Sequence, residues 1–140
     1  MRLDSPRIAA MRFDGPRILA TSGALLALAT LLAALGTHAL RGRISAEQIS
    51  VFMTASRYQF LHSLGLLGVG LAARDVASAL LRWAALLLFA GIVLFCGTLY
   101  AVALGAPRSL GPITALGGLL LIAGWLYFAV AMWRARARRS

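Results

Sequence analysis

Apolar residues come in long, nearly unbroken blocks along this chain, and the charged residues gather between the blocks. A helix needs about 20 mostly apolar residues to cross the hydrocarbon core of a bilayer. Four blocks meet that length or approach it: residues 18–40, 58–73, 81–104 and 112–133. Between the first two, Ser45-Ala-Glu-Gln48 has the form of a capping box. In such a box Ser bonds forward to the backbone and Gln reaches back. Beyond it Ile49, Phe52, Met53 and Ser56 recur at helical spacing, with Glu47, Gln48, Ser50 and Thr54 between them. That alternation predicts a short amphipathic helix lying in the membrane interface. The expected fold is an all-α membrane protein of four transmembrane helices, with this short interfacial helix between the first and second. The organisation is a basic tail (1–17), a transmembrane domain (18–133) and an Arg-rich tail (134–140). A signal peptide is disfavoured for the first block, which is too long for an h-region and lacks a small-x-small cleavage site.

Composition sharpens the picture. The chain has 140 residues, 61% of them hydrophobic. A soluble domain of this size cannot bury so much apolar side chain, so lipid must act as its solvent. The net charge is +10, and every basic residue is Arg. Arg at span ends sets topology and meets lipid headgroups, which explains the charge better than nucleic acid does. With four spans, Arg2, Arg7, Arg12, Arg17, Arg74, Arg82, Arg134, Arg136, Arg138 and Arg139 share one side, and Arg41, Arg43, Arg57 and Arg108 the other. This imbalance predicts both termini inside, in a bacterial inner (plasma) membrane. The N-terminal tail nearly repeats itself, Met1-Arg-Leu-Asp-Ser-Pro-Arg-Ile and Met11-Arg-Phe-Asp-Gly-Pro-Arg-Ile. A short duplication, or a start at Met11, accounts for that.

Polar residues inside a membrane need partners or a purpose. His38 closes the first span. Arg57, Tyr58, Gln59 and His62 open the second, and Tyr58 and His62 are four apart on one helical face. These five form a candidate ligand site near one surface. Arg, Tyr and Gln suit a quinone head or a lipid phosphate, and the two His, less readily, a haem iron. The competing interpretation is that these groups simply hydrogen-bond between helices. No metal site is expected from two His without a spaced third ligand, and no cofactor is assigned. No nucleophile and base fall at useful spacing and no carboxylate lies within a span, so no enzyme activity is expected. Gly97, Ala101 and Gly105, four apart, together with Gly117 and Gly118, are candidate helix-packing positions.

Several short motifs occur together: Gly36-Thr-His38-Ala-Leu40, Thr54-Ala-Ser-Arg-Tyr58-Gln59-x-x-His62, Phe95-x-Gly97-Thr-Leu99-Tyr100, Leu110-Gly111-Pro-Ile-Thr114-x-Leu-Gly117-Gly118 and Ala123-Gly124-Trp125. In this order they resemble the small inner-membrane proteins grouped as domain of unknown function 423, which are related to transmembrane protein 256. Thr37 stands where that family often has Ala, and Leu61 where it often has an aromatic. The resemblance implies four transmembrane helices and an inner-membrane address, and no established reaction. The expected role is a structural or accessory protein that packs with itself or a larger membrane complex. The alternative is a binder of a membrane small molecule through the His/Arg/Tyr/Gln cluster.

Overall fold

The computed structural model describes residues 15–137; the repeated N-terminal segment up to Asp14 and the last three residues lie outside the described residues. The described chain is all helix and loop. Four helical rods follow one another: α1 (Gly15–Ala39), α2 (Ala46–Asp75), α3 (Ala79–Ala103) and α4 (Arg108–Ala137). α1, α3 and α4 are long and apolar enough to cross a membrane. α2 is equally long, but Arg57, Gln59, His62, Arg74 and Asp75 lower its hydropathy.

Local sequence explains where the rods begin and end. α1 closes in a π turn, Leu35–Ala39, and Gly42 takes a positive φ of 80° in the loop that follows. The capping box forms as expected: Ser45 Oγ accepts from the Gln48 N–H, and Gln48 Oε1 accepts from the Ser45 N–H. The short interfacial helix, however, is not a separate element. Its residues are the first turns of α2, which runs unbroken for 30 residues. Nothing between Ser45 and Asp75 stops it, since no Pro intervenes to remove a backbone donor. Ser78 caps α3, accepting from the Leu80 N–H. α3 contains a π segment, Ile92–Cys96. It ends at Gly105, whose φ of 106° suits only glycine.

α1 packs along α2, α3 packs along α4, and α2 and α3 join the two hairpins. Leu81, Ala84, Ala85, Leu88, Ile92 and Cys96 form the buried stripe of α3, facing Leu66 and Val69 of α2 and Leu121 of α4. The outward faces are apolar too: Leu31, Leu119, Ile122 and Leu126 are more than half exposed, and Trp133 is 75% exposed. Faces so rich in large apolar side chains fit a lipid surround.

Glycines set the close approaches, Gly117 of the expected set among them. A β-carbon on Gly117 would strike the backbone of Phe95, one on Gly124 would strike Leu88, and one on Gly91 would meet Leu121. Gly118 sits at ordinary contact distance from the Phe95 ring. Gly97 faces open space, and Gly105 terminates the helix rather than packing it. Ala101, on the same turn, is only half-buried. The expected Gly97/Ala101/Gly105 stripe is therefore not the contact face of α3. The packed face is the stripe that contains Gly91, because the core lies on that side.

Candidate functional site

The interior of the bundle is crossed by a ladder of polar bonds centred on α2. Ser56, Gln59 and Ser63 lie zero, three and seven residues along one face of α2 and are all buried. They meet α1 in antiparallel register. Ser22 Oγ donates to the Ser63 carbonyl at 2.7 Å, Gln59 Nε2 to the Leu25 carbonyl at 3.0 Å, and Ser56 Oγ to the Ala29 carbonyl at 2.9 Å. Gln59 also joins the second hairpin, because Tyr100 of α3 donates its hydroxyl to Gln59 Oε1 at 2.9 Å. Thr98 and Thr114 link α3 to α4 through their hydroxyls, 2.7 Å apart. At the α1–α2 loop end, Arg108 and Glu47 form an exposed ion pair at 2.7 Å.

This ladder disperses the five candidate ligand residues. Gln59 is spent inside the bundle on Leu25 and Tyr100. Tyr58 and His62 lean together on the α4 side. Their rings stack 5.6 Å apart, Tyr58 lies 5.0 Å from the Phe95 ring, and His62 lies 6.3 Å from Trp125. Arg57 faces the opposite way, into a groove between α2 and α1. His38 is exposed on the π turn that closes α1. One site that gathers all five is not present.

His62 is bonded within its own helix. Its Nδ1 lies 2.7 Å from the Tyr58 carbonyl oxygen. A carbonyl can only accept, so a neutral His62 carries its proton on Nδ1 and leaves Nε2 an acceptor. That bond follows the helix i−4 pattern and needs no ligand. Among the described residues no group of three His, Cys, Asp or Glu side chains could hold a metal ion.

The sequence reasoning missed Ser22, Ser56 and Ser63. Their signal was available: Ser56, Gln59 and Ser63 recur at three and four residues, the period of one helical face. Thr30, Thr37 and Thr54 carry no comparable meaning. Each hydroxyl bonds the carbonyl four residues back in its own helix, at Leu26, Ala33 and Ser50 respectively.

The profile of a family described as Protein of unknown function (DUF423) matches residues 32–118. The chain is similar to a UPF0382 membrane protein of Staphylococcus epidermidis, 44% identical over 67 residues, which cover 48% of this chain and 52% of that protein. A UPF0382 membrane protein of Staphylococcus saprophyticus is 41% identical over 54 residues, 39% of this chain and 43% of its own. One from Staphylococcus aureus is 39% identical over 67 residues, with 48% and 52% covered. The chain thus spans about half the length of the curated relatives it matches. No solved structure matches it.

Proposed function

The chain belongs to the DUF423 family, whose relatives here are bacterial membrane proteins, and from that footing we propose a non-enzymatic accessory protein that works through its outer helix faces. Its role is to pack with copies of itself or with a larger membrane complex in the bacterial inner membrane. One observation carries this reading. Three of the four buried polar side chains, Ser22, Ser56 and Gln59, are consumed in holding helix to helix, the Ser63 hydroxyl alone lacks a partner among the described residues, and broad apolar faces stay open. Catalysis needs polar groups free to meet a substrate, whereas lateral association needs surface.

In this reading α2 is the fourth span. Its polar residues are tolerated because Gln59 is paired inside the bundle, His62 bonds the Tyr58 carbonyl of its own helix, and the long Arg57 side chain leans toward the α1–α2 loop end. Both termini face the cytoplasm, as the Arg imbalance favours. An Arg43→Cys protein tests the orientation with little background, since the native Cys96 is buried. A membrane-impermeant maleimide should label it in intact spheroplasts. Labelling only after lysis would invert the assigned topology.

Assembly is tested by chemical cross-linking in native membranes, followed by blue-native electrophoresis after gentle solubilisation. A defined species larger than the monomer is expected. Free monomer under both conditions would end the accessory reading. A joint ligand site at His38, Arg57, Tyr58, Gln59 and His62 is not proposed, because Arg57 and His62 face different neighbours and Gln59 is already bonded.

A further inference from the structure

Arg57 is a charge without a partner among the described residues. No described residue hydrogen-bonds or ion-pairs with it. Glu47 is held by Arg108, and Asp75 stands about 27 Å further along the same helix. Arg57 itself lies about 16 Å from the start of α2 and about 25 Å from Arg74, well inside the rod. Side chains on a helix tilt toward its N-terminus, so the guanidinium leans toward the α1–α2 loop end.

Beside it runs a groove of about 380 Å³ between α1 and α2. Ala29, Thr30 and Ala33 form one wall, and Met53, Phe60 and Leu61 the other. The hydroxyls that reach it are already used: Thr30 bonds Leu26, and Ser56 bonds Ala29. The groove is thus an apolar trough with a single unpaired cation at its edge. Ala29 and Ala33, four residues apart, keep the α1 wall low.

We propose that this trough is a binding site for one anionic phospholipid. An acyl chain lies along Ala33, Phe60 and Leu61, and the phosphate pairs with the Arg57 guanidinium. A cation inside a bilayer draws phosphate or water toward itself. Guanidinium offers paired N–H donors that match phosphate oxygens. A lipid of net negative charge fits better than a zwitterionic one, whose own ammonium competes for the phosphate. The proposal stands on the groove and the charge, independently of the assembly reading.

The test is native mass spectrometry of the full chain, purified in nanodiscs with equal phosphatidylglycerol and phosphatidylethanolamine of matched chains. The wild type should retain one phosphatidylglycerol in preference. Arg57→Gln should lower that preference about tenfold, the size of one hydrogen bond to a charged group. Ala33→Phe, which fills the trough and keeps the charge, should lose retention of the lipid. Equal retention of both headgroups by the wild type, or an unchanged preference in Arg57→Gln, would overturn the site. A second measurement needs no variant. Phosphatidylglycerol with a diazirine in its acyl chain should cross-link within 29–33 and 53–61. Cross-links confined to other helices, or a second copy of the chain cross-linked at Ala33, would also overturn it.

Discussion

Gly117→Ala is expected to destabilise the protein by about 1–3 kcal/mol, the range for overpacking a tight contact. The added methyl would stand against the backbone nitrogen and Cα of Phe95, not against the end of a flexible side chain. A side chain can rotate away from such a clash. A backbone segment can yield only by moving α3 and α4 apart, which strips the contacts of Leu88 and Leu121 along the same seam. Phe95 lies within the π segment Ile92–Cys96. Two neighbours serve as controls. Gly118→Ala meets only the Phe95 ring at ordinary distance, and Gly97→Ala meets nothing within 4 Å. Neither should be destabilised, and both should gain up to about 1 kcal/mol, because Ala loses less backbone freedom than Gly in a helix. Thermal unfolding of the three proteins in one detergent decides the matter. Equal stability of the Gly117 and Gly118 variants would show that α3 and α4 are not seated this closely.

Gln59→Leu should cost a comparable amount, about 1–3 kcal/mol, by leaving buried polar groups without partners. The larger part falls on Tyr100. Its hydroxyl donates to Gln59 Oε1 and would be left with only the Ser56 hydroxyl beside it. The Leu25 carbonyl loses less, because it sits within α1, where a backbone N–H one turn on can still reach it. Tyr100→Phe in the Gln59→Leu background should therefore recover part of the loss. The coupling between Gln59 and Tyr100 in the double-mutant cycle is expected at about 0.6–2 kcal/mol, the span found for polar pairs between membrane helices. A coupling near zero would mean that α2 and α3 are joined by apolar packing alone. Reversible unfolding in nanodiscs supplies the four free energies.

Some of this was legible in the chain itself. The capping box at Ser45 and Gln48 forms as the spacing implies, because a cap depends only on residues within one turn. Thr98, Tyr100 and Thr114 stand within the short motifs that the sequence displays. Their partners were not legible. Tyr100 finds Gln59 across 41 residues of sequence, and no local pattern encodes that pairing. The expected five-residue site failed for a related reason. Arg57, Tyr58 and Gln59 are adjacent, yet successive helix positions point about 100° apart, so each meets a different neighbour. Arg57 meets the α1 groove, Tyr58 the Phe95 ring and Gln59 the interior.

By itself the sequence determined the helical blocks, their apolar character and the placement of Arg at their ends. These are sums over a segment or interactions within a turn, and they survive without knowledge of any neighbour. Only the tertiary structure decided how each rod is rotated about its axis. That rotation made Gly91, Gly117 and Gly124 the contacts and left Gly97 facing outward. It also merged the polar segment after Ser45 into one long α2 and set the register that pairs Ser56 with Ala29 and Ser63 with Ser22. The physical reason is that lipid tails are as apolar as a protein core. In water, hydropathy marks which face of a helix turns inward. On a helix apolar all round it marks none, and the inward face is chosen by shape and by the few polar groups that must find one another.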